Sequence, residues 1–188
     1  MQRIDYRAVF REVYQPPERE AVVRVSVPPR RCLVLDGEGP LDAPAFAQAV
    51  SAVRTLARAL RRRVKAGPMA LDFRVMPPEV EFRDSSWTVM ILQPPVVDAD
   101  LMTVEQRTLA PRPLLAHVAL RVLPESLALQ TLHTRPLHQA DRALERLQAY
   151  ADSHGYRLAD EYVAVDLGDA RQPAFSQERM LIRRDIHS

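Results

Sequence analysis

Between residues 43 and 64, the apolar side chains Phe46, Val50, Val53, Ala57, Leu60 and Val64 recur at spacings of three and four. That is the period of a helix with one apolar face. A face of this length needs something broad to bury it, and the flanking sequence indicates a sheet. Two β-branched runs, residues 21–27 and 31–36, precede the helix and are parted by Pro28-Pro29. Strands at residues 69–76 and 86–92 are expected after it, joined by a segment that holds Pro77-Pro78 and Arg83-Asp84. Asp42 is placed to cap the start of the helix and Gly67 its end.

The second half repeats this order. Strands are expected at residues 117–123 and 127–133 around Pro124-Glu125-Ser126, then a helix at 137–153 on Leu137, Ala140, Leu144, Leu147 and Ala151. A strand at 158–166, a loop rich in turn residues at 167–177 and a closing strand at 178–184 follow. Pro40-Leu41 and Pro136-Leu137 stand in equivalent places, about a hundred residues apart, too far for a solenoid period. The expected fold class is α+β. A duplicated strand-helix-strand-strand module, at about residues 20–95 and 115–186 with a connector at 96–114, forms one antiparallel sheet. The helices lie on one face, and a groove lies near the pseudo-twofold axis. Residues 4–14 are expected to add a short docking helix and 98–108 a helical connector, all within a single domain.

Several function classes are excluded by what the 188 residues contain. The N-terminal residues are charged throughout, unlike a secretory leader, and the apolar runs are broken well short of the roughly 20 residues of a membrane span. A cytoplasmic protein is expected. Cys32 is the single cysteine and sits in a strand-like run, as an inert buried thiol does. The five histidines lack metal-ligand spacing, so no metal and no cofactor are expected. There is no glycine-rich phosphate loop and no serine-hydrolase elbow. All but one of the 26 basic residues are arginine, yet the formal charge is only +2. The densest cluster, Arg61-Arg62-Arg63 with Lys65, reads as a solvated helix end that offsets the macrodipole, or as a phosphate-binding patch.

Chemistry concentrates in residues 158–166. Strand alternation puts Glu161 on one face with Val163 and Val165. Two readings are open: a carboxylate in an apolar pocket, with its pKa raised by desolvation, or one at the wet end of a strand with only its stem packed. Laying Ala70-Leu71-Asp72-Phe73 on Ala159-Asp160-Glu161-Tyr162 aligns Asp72 with Glu161. Arg74, two residues beyond Asp72, is expected to neutralise it and to leave Glu161 free for a ligand.

Asp5-Tyr6, Phe10 and Tyr14 with Pro16, then Val25-Ser26-Val27-Pro28-Pro29, Leu35-Asp36-Gly37-Glu38-Gly39, Trp87-Thr88-Val89-Met90-Ile91-Leu92-Gln93-Pro94 and Asp160-Glu161-Tyr162, occur in this order. Together they resemble the stand-alone GyrI-like small-molecule-binding proteins. The sequence departs from that pattern at Glu79-Val80-Glu81-Phe82, where the family carries an aromatic stretch, and at Arg135-Pro136-Leu137. The resemblance implies a central pocket for bulky aromatic or cationic organic compounds. Glu161 matches the family's pocket glutamate and Trp87 an aromatic near it. The ligand-binding set expected on this basis is Glu161, Trp87, Tyr162, Phe73, Phe82 and Met90, with Glu161 the catalytic group if the protein is an enzyme. Three functions stay open: a small-molecule binder, a hydrolase acting on electrophilic cyclopropanoid-type natural products, and an accessory partner-binding module. No direct contact with nucleic acid or membrane is expected.

Overall fold

The computed structural model describes residues 2–68 and 71–187. Its elements run β1 (Gln2–Ile4), α1 (Tyr6–Val9), α2 (Arg11–Tyr14), β2 (Val22–Val27), β3 (Arg30–Glu38), α3 (Pro44–Ala66), β4 (Leu71–Phe73), β5 (Glu79–Arg83) and β6 (Ser86–Leu92). Then come α4 (Ala99–Thr108), α5 (Pro113–Ala116), β7 (Ala119–Leu123), β8 (Ser126–His133), α6 (Asp141–His154), β9 (Arg157–Leu158), β10 (Tyr162–Asp166) and β11 (Met180–His187). Among the described residues, no helix is long and apolar enough to cross a membrane.

The periodic stretch is α3, which buries Phe46, Val50, Val53, Leu56, Ala57, Leu60 and Val64 and packs on β3 and β6. Its start differs from the expectation. Ala43, not Asp42, is the N-cap, and it makes no side-chain bond. Pro44 takes the first helical position instead, where a preset φ helps and a missing N–H costs nothing. The second helix begins as one 3₁₀ turn over Leu137–Gln139; α6 then buries Ala143, Leu147 and Ala151. It stops at Gly155, whose φ of 72° suits glycine.

The main sheet has the order β2-β8-β11-β10-β5-β6-β3-β7, antiparallel throughout, with β9 added beside the end of β11. Outward from the central seam, β5-β6-β3 on one side repeats β10-β11-β8 on the other. Both long helices lie on one face. Phe46 of α3 packs against Phe82 and Trp87, and Gln148 of α6 accepts from Arg184, all of which point to that side.

The outer strands are exchanged between the halves. β2 leads into β3 but pairs with β8; β7 leads into β8 but pairs with β3. Pro28-Pro29 forbids a two-residue hairpin between β2 and β3, because such turns need positive φ and proline holds φ near about −65°. Laid flat, β2 and β3 would be about 29 Å apart across the sheet, whereas two linking residues span roughly 10 Å. The sheet therefore curls into a trough, and the β2–β3 and β7–β8 connections cross its mouth.

Two sequence expectations fail at the centre. The strand expected at residues 69–76 shrinks to Leu71–Phe73 and pairs in parallel with β1, outside the main sheet; Met69 and Ala70 lie outside the described residues. The central strand is β5, in the stretch read as a connecting segment. Pro77-Pro78 does not exclude it: the prolines precede the first strand residue, and the Pro78 carbonyl still accepts a bond from the Asp166 N–H at 3.0 Å. Phe82 thus stands opposite Tyr162 in the register, and the alignment of Asp72 with Glu161 does not hold.

Away from the helices, β5 points Glu79 into the trough, where it is fully buried. Arg183 of β11 donates to its Oε2 at 2.6 Å, Arg30 of β3 stands 3.6 Å from the same oxygen, and the Tyr14 hydroxyl donates to Oε1. Gln130 of β8 holds the same N-terminal segment by donating to the Glu12 carbonyl at 3.0 Å. Residues 4–14 therefore dock as two short helical turns, α1 and α2, and fill part of the trough with Val13 and Tyr14. Desolvation alone would raise the Glu79 pKa, but Arg30, Arg183 and Tyr14 outweigh it and hold the carboxyl below its ordinary value. A depressed carboxylate stabilises the fold above its unfolded pKa, and that stability is lost as pH falls through the folded value. Glu79→Gln leaves Arg183 buried without a counter-charge and should cost about 3–5 kcal/mol in urea denaturation. A cost below about 1 kcal/mol would remove the cluster from this role.

Candidate functional site

The register of the central seam builds the candidate site. Tyr162 pairs with Phe82, so the next residues outward, Glu161 and Arg83, meet across the trough with Arg83 Nη2 2.7 Å from Glu161 Oε1. One pair inward, Val163 stands opposite Glu81 on the same face. Asp185 of β11 joins them and accepts from the Ser126 hydroxyl at 3.1 Å, while Glu125 comes from the β7–β8 connection. These groups line a cleft of about 560 Å³ at the open part of the trough, with the paired Ser26 of β2 and Leu127 of β8 at one end. Four carboxylates, Glu81, Glu125, Glu161 and Asp185, face this space. Its two guanidinium groups are Arg83, held by Glu161, and Arg183, held by Glu79.

Glu81 is the group most changed by its surroundings. Burial pushes its carboxyl above the ordinary value; Arg83 opposes the shift, and Glu161 and Asp185 add to it. A half-buried acid whose charged form is disfavoured chiefly by burial gains from any cation that enters the cleft. Among the described residues no three His, Cys, Asp or Glu side chains are grouped as metal ligands.

The expected ligand-binding residues do not come together. Glu161 lines the cleft, but Phe82, Trp87 and Tyr162 point to the helix face. There Phe46 packs edge-on against Trp87 with ring centroids 5.4 Å apart, and Phe82 stacks on Tyr162 at 4.9 Å. Burial raises the Tyr162 hydroxyl to about 12. Phe73 is buried in β4 beneath α3, and Met90, though on the trough side opposite Glu79, is buried as well. The expected Arg74–Asp72 pair is absent. Asp72 instead accepts two bonds from Arg61 at 2.8 and 3.1 Å, with Lys65 at 3.5 Å, and is held down at about 2. Glu161, expected to lack a cation, has Arg83. Both differences follow from β5 taking the central place assigned to β4. Glu79, Glu81 and Arg83 were legible in one respect: they alternate with Val80 and Phe82, the pattern of a half-buried strand. Cys32 is buried and its thiol is raised to about 12, the inert state expected of it.

The class defined by this geometry is an α+β domain in which two strand-helix-strand-strand units share one curled antiparallel sheet. Among solved structures, a hydrolase from Listeria innocua has this fold, with a TM-score of 0.84 and 20% identity over 99% of this chain and 100% of that one. An uncharacterized conserved protein from Listeria innocua matches at a TM-score of 0.83, 20% identity, 98% of this chain and 100% of that one. The C-terminal domain of EcmrR matches more loosely, with a TM-score of 0.57 and 10% identity over 90% of this chain and 98% of that one. At these identities the likeness is one of fold. No family model matches the sequence, and no curated protein matches it.

Gly37 lies under the helix-face cluster, where an added Cβ would stand 2.1 Å from Cη2 of Trp87. Gly37→Ala should displace the indole and cost about 1–3 kcal/mol by overpacking. Trp87 is the chain's one tryptophan, so its fluorescence reports the change directly as a red-shifted emission maximum. An unshifted spectrum with unchanged stability would mean that the ring is not seated there.

Proposed function

We propose that the protein is a GyrI-like small-molecule-binding protein that takes an organic cation into the open part of the trough, with Glu161 and Glu81 as its charged anchors. The observation that carries this reading is the charge of the cleft: four carboxylates face it, and of its two guanidinium groups Arg83 alone is left to balance them, because Arg183 is committed to Glu79; His187 also lines the cleft. Val163, Leu127 and Ile186 supply apolar contact for the body of a ligand. Arg83, with a side chain 64% exposed, acts as an internal cation that an incoming ligand displaces from Glu161. This modifies the site implied by the family resemblance, since recognition rests on carboxylates and aliphatic walls while the aromatic residues support the floor from behind.

A hydrolase reading is favoured by one feature. Glu81, raised towards the protonated form, shares a strand face with the ion-paired Glu161, and such a pair suits a proton donor beside a group that orients water.

Titration of the aromatic cation rhodamine 6G, followed by fluorescence polarisation, tests the proposal. Glu161→Gln and Glu81→Gln should each weaken binding about tenfold, the value of one charge-assisted contact, while Arg83→Ala tightens it. Binding should strengthen as pH rises through the raised Glu81 value. Because Glu81 is raised in the fold, its contribution to stability is present at low pH and is lost as it ionises. Glu81→Gln should therefore leave the apo protein at least as stable at neutral pH. Identical isotherms for wild type and the three variants would overturn the proposal and favour the accessory-module reading. Turnover of a strained-ring alkylator, lost in Glu161→Gln, would establish the hydrolase.

A further inference from the structure

A second cleft, sharing no lining residue with the first, is walled by arginine. Arg54, Arg58, Arg61 and Arg62 follow one another on α3 at helical spacing, so they share a face. Arg7 of α1 and Arg74, one residue past β4, approach from the other side, and the loop backbone at Gly168 and Ala170 closes a space of about 370 Å³. Six guanidinium groups thus meet in a chain whose formal net charge is only +2.

Little in the fold balances them. Arg61 is claimed by Asp72. Asp166, the one acid on the wall, accepts from the Gly168 N–H and the Phe175 N–H, both at 2.9 Å, and sets a single negative charge against six guanidinium groups. Arg54 donates to the Gln172 carbonyl at 3.0 Å and Arg58 to the Ala170 carbonyl at 2.7 Å; these bonds orient them without neutralising them. Arg7, Arg62 and Arg74 have no ion pair among the described residues, and the buried Nε of Arg7 has no hydrogen-bond partner there. The Arg61-Arg62-Arg63 run is not simply a solvated helix end: Arg61 and Arg63 are taken by Asp72 and Glu105, and Arg62 is turned to the cleft.

We propose that this cleft binds a phosphate-bearing small molecule. Guanidinium forks match phosphate oxygens two at a time, and several forks around one pocket suit a di- or triphosphate better than a single carboxylate. Burial, and then the charge of Arg74, lower the Arg7 pKa, while Asp5, Tyr14 and Asp166 oppose the shift. The six guanidinium groups converge on one space of about 370 Å³, which suits a compact ligand better than an extended nucleic-acid strand.

The test uses the full chain at low ionic strength, with inorganic pyrophosphate, ATP and a single-stranded oligonucleotide as probes, read by calorimetry and thermal unfolding. Pyrophosphate or ATP should bind with a Kd below about 1 mM and raise Tm. Equal affinity would assign recognition to the phosphates alone, and tighter ATP binding would add the nucleoside; both support the site. Arg74→Gln should raise Tm without anion, because repulsion is relieved, and weaken pyrophosphate binding about tenfold or more. Arg62→Gln should weaken it similarly, while Arg63→Gln, engaged with Glu105, leaves it intact. No binding of either small probe, binding of the oligonucleotide alone, or equal losses in Arg63→Gln would overturn the proposal.

Discussion

A buried carboxylate dictates much of this architecture. Removing Glu79 from water is costly unless its oxygens are fully engaged, and the partners that engage it come from three other elements. Arg183 ties β5 to β11 across the central seam, Arg30 brings in β3, and Tyr14 draws the N-terminal turns across the trough. Two residues along the same strand face, roughly 7 Å away, Glu81 has no such partners and stands at the edge of the open cleft. Neighbouring acids on one strand therefore have opposite fates. The first closes half of the trough, and the second is left facing the open cleft.

Proline supplies the second constraint. Because Pro28-Pro29 blocks a hairpin, β2 has to find its partner on the far side of the sheet, and the short linker forces the curl that turns a flat sheet into a container. Charge is then sorted by location. Acids gather in the trough, arginines gather behind it between α3 and the loop before β11, and the nearly neutral total conceals two strong local fields.

The helices and outer strands were legible because they are long and periodic. The six periodic apolar positions of α3 and the β-branched run of β6 are strong local signals, and Ser86–Leu92 folds where alternation and turn residues place it. The central seam was harder to read for a specific reason. β5 has only five residues and follows two prolines, so Leu71–Phe73, with its apolar ends, looked like the better strand. From that one displacement came the misplaced Asp72 and the missed partner of Glu161. The face assignment of Glu161 was right in kind, since it shares a side with Val163, but alternation along one strand does not reveal what the next strand sets opposite. The aromatic residues expected to line a pocket lie side by side in the sheet, since Phe82 pairs with both Trp87 and Tyr162, yet all three turn towards the helices.

The exchanged outer strands carry a consequence for how such a chain comes to exist. A polypeptide half this long, with one leading strand and one strand-helix-strand-strand unit, would have no place for that strand in its own sheet and would lend it to a second copy. Its smallest folded form would be an interlocked pair. Joining the two copies through α4 and α5 turns that mutual loan into an intramolecular one, which no dilution undoes, and frees the two halves to diverge. One half is rich in charge at its seam while the other has Val163 and Val165 there, an asymmetry that a symmetric pair of identical chains cannot carry.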